Sequence, residues 1–340
     1  HHRHRLQRLD LDILVPARIG MLHRQHPHRA LAPDDRDAGE AVEPVLARLR
    51  LVREIGVAGG FVQVQHLAVR RDRADQPLAQ RQLLHYQRAD GVSLTATLYL
   101  PPEYKASDGP LPTILHAYPA EFKSRDAAGQ VKGSPNRYPE YGFYDLPPLL
   151  AQAGFAVLFD ASLPVLGEGG AEPNDTFVEQ IAAGAQAAID EGVRLGVVDR
   201  NRVGVTGHSY GAFMTANLLA HTDLFKAGVA LSGAYNRSLT PFGFQREERT
   251  YWQDPSLYFE MSPFSYADKI KEPLLLMHGA ADDNQGTFPI QSERFYAALK
   301  GNGATTKLVF LPYEAHRYDA RQSVNEVLWE WTDWFTRYLR

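Results

Sequence analysis

Residues 202–220 read RVGVTGHSYGAFMTANLLA and decide the fold class. The apolar segment before the turn predicts a strand, and the segment after it predicts a helix. The turn between them, Gly207-His208-Ser209-Tyr210-Gly211, matches the pattern G-x-S-x-G, in which a serine is displayed on a strained strand-to-helix turn. A side chain at either glycine would collide with the neighbouring strand or helix. The alternative is an ordinary Gly-Ser turn that caps a helix, and the flanking strand and helix argue against it.

A serine hydroxyl becomes a nucleophile only with a base, and the base needs a carboxylate to orient it. In this architecture the acid and then the base follow the serine along the chain, each after a later strand. The strand PLLLMHG at 273–279 is followed by Asp282 and Asp283, of which Asp282 is preferred as the acid. The strand KLVFLP at 307–312 is followed by His316, the predicted base.

Other residues compete for these roles or complete them. His278 precedes the aspartate loop, and His208 flanks the serine without facing it, so both are weaker candidates for the base. An oxyanion needs two hydrogen-bond donors. One candidate is the backbone N–H of Tyr210, and the other is the phenol of Tyr118, at the end of the strand TILHAY (113–118). The alternative for Tyr118 is an ordinary aromatic residue at a strand end.

The remaining pattern is an alternation of strands and helices, which predicts a mostly parallel sheet with helices on both faces. Together with the G-x-S-x-G turn between a strand and a helix, this pattern predicts an α/β-hydrolase fold. It opens with two strands around a tight Asp90-Gly91 turn. Asn174 or Asp175 is a candidate cap for the longest early helix. The further predicted strands are 155–160 and 226–233, and the predicted helices are 146–154, 174–195, 212–222, 288–300 and 321–339.

Composition sets limits on function. The chain has 340 residues, 44% of them hydrophobic and 22% charged, with a net charge of -4, so no global basic field indicates nucleic-acid binding. No cysteine is present, which excludes disulfides, thiolate metal sites and a cysteine nucleophile. No apolar run reaches the roughly 18 residues of a membrane helix, and the first residues lack an apolar core typical of a signal peptide. The compartment stays open. No cofactor or metal is expected.

Residues 1–80 differ from the rest. They contain thirteen Arg, no Lys and a single aromatic residue, Phe61, and they carry a net charge of +3. We interpret them as an atypical Arg-rich segment that is not a native domain, because such composition is typical of out-of-frame translation of GC-rich DNA. A poorly packed tail and a small basic domain are the alternatives. Residues 81–340 are expected to form the catalytic domain.

Residues 83–340 resemble the catalytic domain of the prolyl oligopeptidase family of serine peptidases, and within it the glutamyl endopeptidase branch. The segments that carry the resemblance include YQRADGVSLTATLYLPPEY, GHSYGAFMTANLLAHT, SGAYNRSLTPFGFQREERTYW, MSPFSYADKIKEPLLLMHGAADDNQGT and LPYEAHRY. The resemblance implies peptide substrates and an acyl-enzyme, with Ser209 as nucleophile, Asp282 as acid, His316 as base and Tyr118 as oxyanion donor.

The same resemblance implies cleavage after glutamate, which requires a cation in the substrate pocket. The candidates are Arg237, Arg246, Arg249, Lys123 and Arg137, although a solvated surface charge is the favoured interpretation of each. Family members also carry a β-propeller, which eighty Arg-rich residues cannot supply. The chain is therefore expected to be a catalytic domain without this domain. The alternatives are an aminopeptidase or esterase on the same scaffold, or an inactive fragment.

Overall fold

A computed structural model of the protein describes residues 79–129 and 143–340. The interpretation of residues 1–80 as an atypical segment that is not a native domain falls almost entirely outside the described residues, as does the candidate cation Arg137. The described strands are β1 (Gln80–Gln87), β2 (Ser93–Leu100), β3 (Leu111–His116), β4 (Ala120–Phe122), β5 (Ala156–Phe159), β6 (Pro164–Leu166), β7 (Val198–His208), β8 (Ala227–Leu231), β9 (Leu274–Gly279) and β10 (Thr306–Leu311).

Eight of these strands form one sheet in the order β1-β2-β5-β3-β7-β8-β9-β10. β1 pairs antiparallel with β2, and β2 pairs antiparallel with β5. The remaining pairs, from β5 through β10, are all parallel. The predicted mostly parallel sheet is therefore confirmed. Within the described residues no four-stranded propeller blade occurs.

Helices cover both faces of this sheet. The α-helices are α1 (Arg125–Ala128), α2 (Phe177–Arg194), α3 (Tyr210–His221), α4 (Pro255–Glu260), α5 (Ile290–Gly301) and α6 (Arg321–Leu339). Short 3₁₀ helices cover Ala106–Asp108, Phe143–Asp145, Pro147–Ala153, Pro173–Thr176, Arg237–Leu239 and Pro263–Tyr266. Among the described residues, no helix combines the length and apolar character needed to cross a membrane.

Separate apolar cores lie on the two faces of the sheet. Successive side chains of a strand point to opposite faces, so the central strands contribute to both cores. In β9, Leu274 and Leu276 point into the core beneath α2, α3 and α5, whereas Leu275 and Met277 point into the core beneath α6. All four of these side chains are fully buried. Burial on both faces explains why the central strands read as continuous apolar runs rather than as alternating patterns.

Differences from the sequence-based prediction concern element ends. Residues 146–154 form 3₁₀ turns rather than a regular helix, closed by Gly154 in the left-handed region (φ 88°), and the prolines at the start supply no N–H. β3 ends at His116, so Tyr118 lies in the loop beyond it. The caps assigned to Asn174 and Asp175 were wrong, because these residues lie in the 3₁₀ turn that precedes α2.

Candidate active site

Ser209 lies on the sharp turn between β7 and α3, with φ 59° and ψ -115°. Its backbone N–H donates to the carbonyl of Leu231 over 2.8 Å. A Cβ on Gly207 would lie 2.5 Å from the carbonyl carbon of Gly211, and a Cβ on Gly211 would lie 2.5 Å from the carbonyl oxygen of Ala117. The turn therefore tolerates no side chain at either position, as the sequence predicted.

The ends of β9 and β10 bring two further side chains to Ser209. His316 Nε2 lies 2.9 Å from Ser209 Oγ, and His316 Nδ1 lies 2.8 Å from Asp282 Oδ2. This arrangement lets the serine hydroxyl donate to the imidazole while the imidazole donates to the carboxylate. Asp283, the alternative acid, is exposed. The structure thus brings together the three residues that the sequence selected.

The Asp282 carboxylate is buried and surrounded by donors. Besides His316, its Oδ2 lies 3.1 Å from His278 Nε2 and 3.2 Å from Thr287 Oγ1, while Oδ1 accepts from the backbone N–H of Asn284 over 3.0 Å. Burial by itself would raise the pKa of Asp282, but the hydrogen bonds from His278, His316 and Asn284 outweigh it and hold the pKa well below its usual range. The carboxylate is therefore ionised.

The two histidines that competed with His316 contact the His316 backbone and the Asp282 carboxylate rather than Ser209 Oγ. His278 is fully buried, with Nδ1 2.6 Å from Ser292 Oγ and Nε2 facing Asp282. His208 places Nε2 2.6 Å from the backbone carbonyl of His316. Sequence reasoning gave neither residue a supporting role, since their contacts depend on how distant loops pack.

The two oxyanion candidates have different surroundings. Tyr210 is the first residue of α3, and its buried phenol donates to Glu121 Oε1 over 2.7 Å, so its side chain is already engaged. Tyr118 is 45% exposed, and its phenol oxygen accepts from Gln245 Nε2 over 3.1 Å. Gln245 is a residue that the sequence analysis did not select.

A cavity of about 990 Å³ opens at this site. Ser209, His316, Tyr118 and Tyr210 line it together with Arg237. Much of the remaining wall is apolar. The volume of the cavity suits one side chain of a peptide together with its flanking backbone. Apolar residues of the lining include Leu239, Pro241, Phe242, Phe244 and Phe288.

Among the described residues that line this cavity, Arg237 is the one Lys or Arg, and it is only 3% exposed. Its guanidinium carbon lies 3.9 Å from the ring centre of Phe213 and 4.2 Å from that of Phe244. Burial lowers the pKa of Arg237 to about 10, which leaves it charged at neutral pH. No described residue accepts a hydrogen bond from its Nε. The interpretation of Arg237 as a solvated surface charge was therefore wrong.

The other described candidates lie outside the cavity. Lys123 is exposed and forms an ion pair with Glu172. Arg246 is exposed, and its guanidinium carbon lies 5.5 Å from the ring centre of Phe122. Arg249 binds carboxylates of its own chain, including Glu247 at 2.8 Å. None of these three side chains lines the cavity, so Arg237 alone among the four described candidates combines charge with access to it.

The parallel sheet, the serine on its strand-to-helix turn, and Asp282 and His316 in the loops after two later strands define an α/β hydrolase. Residues 169–340 match the model of the prolyl oligopeptidase family, and the chain belongs to this family of serine peptidases. The resemblance noted in the sequence is confirmed.

Two relatives are similar over the same part of the chain. A probable glutamyl endopeptidase, chloroplastic, of Arabidopsis thaliana is 57% identical over 261 residues, which cover 76% of this chain and 27% of that protein. A protein of the same name from Oryza sativa subsp. japonica is 56% identical and covers 76% and 28%, respectively. The chain thus spans about a quarter of the length of these curated relatives.

Solved structures agree with the fold. The acylaminoacyl peptidase of Pyrococcus horikoshii superposes with a TM-score of 0.58 at 24% identity, covering 77% of this chain and 42% of that chain. A putative dipeptidyl aminopeptidase IV from Bacteroides ovatus ATCC 8483 superposes with a TM-score of 0.62 at 20% identity, covering 81% and 38%. At these identities the likeness shows the fold alone.

Proposed function

We propose that this chain is the catalytic part of a serine endopeptidase that cleaves peptide bonds after glutamate. Ser209 is the nucleophile, His316 the general base and Asp282 the carboxylate that orients it. The phenol of Tyr118 and the backbone N–H of Tyr210 are the oxyanion donors. The hydrogen-bonded series Ser209–His316–Asp282 supports the chemical part of this proposal.

The reaction proceeds in two halves. Ser209 Oγ attacks the peptide carbonyl carbon while His316 Nε2 takes its proton, and the carbonyl oxygen becomes an oxyanion held by the two donors. His316 then gives the proton to the leaving amine, and the C–N bond breaks to leave an acyl-enzyme. A water molecule, deprotonated by His316, releases the acid and restores the Ser209 hydroxyl. The ionised Asp282 stabilises the imidazolium that forms in each half.

The single observation that carries the glutamate preference is the buried charge of Arg237. No salt bridge joins this guanidinium to any carboxylate of the described residues, although it lines the cavity that contains Ser209. Glu121 attracts the guanidinium electrostatically but forms no salt bridge with it, and the Glu121 carboxylate already accepts from the Tyr210 hydroxyl. A buried cation without a carboxylate partner is unfavourable, and a substrate glutamate would offset that cost with charge-assisted hydrogen bonds. The names of the two curated relatives point to the same preference.

The test uses matched fluorogenic peptides that differ only in Glu, Gln or Asp before the scissile bond, together with a fluorophosphonate probe. We expect Ser209 to label and kcat/KM to favour Glu over Gln. Arg237→Met should reduce the Glu-to-Gln ratio about 10- to 100-fold, the range for hydrogen bonds to a charged group. Arg246→Gln, which removes a nearby exposed cation, should leave the ratio unchanged.

Each other function gives a distinct result. Equal cleavage of Glu and Gln peptides would overturn the glutamate preference. Faster turnover of short acyl esters, or of peptides with a free N-terminus, would favour an esterase or an aminopeptidase. If the Ser209→Ala variant labels as strongly as the parent, or if neither labels, the Ser209 hydroxyl is not activated. Either result would indicate an inactive fragment.

A further inference from the structure

The phenol of Tyr118 has a hydrogen-bond partner on a distant loop. Gln245 Nε2 donates to the Tyr118 oxygen over 3.1 Å, and both side chains line the cavity beside Ser209. A phenol can accept hydrogen bonds and donate one. With its oxygen occupied by the amide, Tyr118 keeps its proton for another acceptor, and within residues 79–129 and 143–340 no such acceptor is bound. Tyr118 lines the same cavity as Ser209, so a substrate carbonyl bound there can supply the acceptor.

We propose that Gln245 is a positioning residue, which holds the Tyr118 phenol with its proton directed at the oxyanion. The proposal rests on the function proposed above, because it concerns the same oxyanion site. Tyr118 is half-exposed and follows the end of β3, and its ring lies against that of Tyr210 with the ring centroids 6.0 Å apart. The amide of Gln245 adds a directional contact at the phenol oxygen itself.

The backbone around Gln245 is built to present this side chain. Phe244 and Glu247 exchange backbone hydrogen bonds of 3.2 and 2.8 Å, which close a tight turn with Gln245 inside it. Gln245 has φ 53°, in the left-handed region where glycine is favoured and other residues are strained. A glycine would relieve this strain, but it would offer no amide to Tyr118.

Hydrogen bonds to the side chain of Glu247 also anchor this turn. The buried Glu247 accepts from Arg249 Nε over 2.8 Å and from Asn174 Nδ2 over 3.2 Å. The bond from Asn174 fixes the last residue of the turn to the segment that precedes α2. The backbone turn that carries the exposed Gln245 side chain is therefore held in place by buried contacts. A residue that positions another group requires such support.

The effect belongs to the transition state. As the oxyanion forms, Tyr118 shares its proton with it and the phenol oxygen gains negative charge. An N–H that already points at this oxygen becomes a stronger hydrogen bond at that moment. Loss of Gln245 should therefore lower kcat and leave KM nearly unchanged. A direct contact between Gln245 and the substrate would instead raise KM.

The test is a double-mutant cycle on the full chain, with Gln245→Ala, Tyr118→Phe and the double variant. We expect Gln245→Ala to lower kcat about three- to tenfold, the range of one ordinary hydrogen bond, and Tyr118→Phe to lower it roughly 10²–10³-fold. In the Tyr118→Phe background, Gln245→Ala should have no further effect. An undiminished loss in that background, or a loss confined to KM, would overturn the proposal.

Two single substitutions separate positioning from a structural role. Gln245→Gly should lower kcat as much as Gln245→Ala while the midpoint of urea unfolding stays level or rises, because glycine relieves the positive φ. Gln245→Glu should be slower than Gln245→Ala, since a carboxylate takes the phenol proton instead of donating to the oxygen. Glu248→Ala, an exposed neighbour, should match the parent. Parallel losses of kcat and stability in Gln245→Gly would overturn the proposal.

The same variants also give second-order rate constants for inactivation by the fluorophosphonate, whose phosphoryl oxygen occupies the oxyanion position. This readout needs no glutamate preference. If the parent labels but does not cleave Glu peptides, the substrate part of the proposed function is wrong, and the labelling rates still test Gln245. If Ser209 does not react at all, both proposals are overturned.

Discussion

His208 Nε2 donates a hydrogen bond to the backbone carbonyl of His316 over 2.6 Å. The residue next to Ser209 in sequence therefore binds the peptide unit that carries His316, and the two imidazole rings lie 4.6 Å apart. This bond ties the turn after β7 to the loop after β10. The distance between Ser209 and His316 thus depends on a buried side chain that takes no part in proton transfer.

The first prediction follows from the charge state of His208. Burial, and then the nearby His316, lower the pKa of His208 to about 3, against an unfolded value of 6.5. Between these two pH values the unfolded chain binds a proton that the folded chain does not, so the free energy of unfolding falls as the pH is lowered from 6.5. The loss is about 1.4 kcal/mol per pH unit, or about 2 kcal/mol by pH 5.

The variant His208→Gln keeps a donor for the His316 carbonyl but cannot be protonated. Urea unfolding at pH 7 and pH 5 should show a smaller loss of stability in this variant than in the parent, by about the same 2 kcal/mol. The carboxylates titrate in both chains and cancel in the comparison. Equal losses in the two chains would show that His208 is not held neutral.

The second prediction concerns the two adjacent aspartates. Asp282→Asn removes the negative charge that stabilises the imidazolium and favours the wrong tautomer of His316, so kcat should fall by up to roughly 10⁴-fold. Asp283→Asn changes the same charge on an exposed neighbour and should alter kcat less than twofold. Steady-state kinetics on one Glu peptide checks both. Comparable losses in the two variants would remove Asp282 from its assigned role.

The third prediction uses the close contact between the start of α3 and the loop that follows β3. In Gly211→Ala the new Cβ would lie 2.5 Å from the carbonyl oxygen of Ala117, the residue before Tyr118. Because the contacted atom belongs to the backbone, it cannot move aside without cost, and we expect a loss of about 1–3 kcal/mol in unfolding free energy. We also expect a lower kcat, because the shift displaces Tyr118. Gly301→Ala, where nothing lies within 4 Å, should not be destabilised. A stable and fully active Gly211→Ala variant would contradict the geometry.

Local patterns made much of this molecule predictable. Each strand of the parallel region is an apolar run that ends in a polar loop, and Ser209, Asp282 and His316 each follow such a run. Their meeting point could be deduced because parallel strands end at the same edge of a sheet. The hairpin around Asp90-Gly91 and the final helix were predictable for the same reason: turn chemistry and periodicity act over a few residues.

What the sequence did not reveal depends on contacts between distant loops. Nothing local to Gln245 shows that it meets a tyrosine 127 residues earlier. The burial of Arg237 likewise requires Phe213 and Phe244 from different elements. The two-stranded parallel sheet of β4 and β6 was also missed, since three-residue strands are too short to show a period.

The last prediction is that residues 1–78 are dispensable for the fold of the hydrolase domain. β1 starts at Gln80, whose side chain donates to the carbonyls of Pro102 and Tyr104 at 3.2 and 2.8 Å. Leu84 and Tyr86 of this strand are already buried in the core. The segment before it has one aromatic residue and a net charge of +3, so it gains little burial against an ordering cost of about 1–2 kcal/mol per residue.

A chain that begins at Ala79 should therefore match the full chain in helix content, urea midpoint and fluorophosphonate labelling of Ser209. The opposite result has a clear physical meaning, because Phe242 and Trp252 are 76% and 66% exposed, and Phe242 also lies at the mouth of the cavity. The shortened chain would then aggregate while the full chain stays monomeric and labels. That outcome would mean that the first 78 residues protect exposed apolar surface of this kind and are needed for a stable protein. Size-exclusion chromatography of the two chains, side by side with labelling, distinguishes these outcomes.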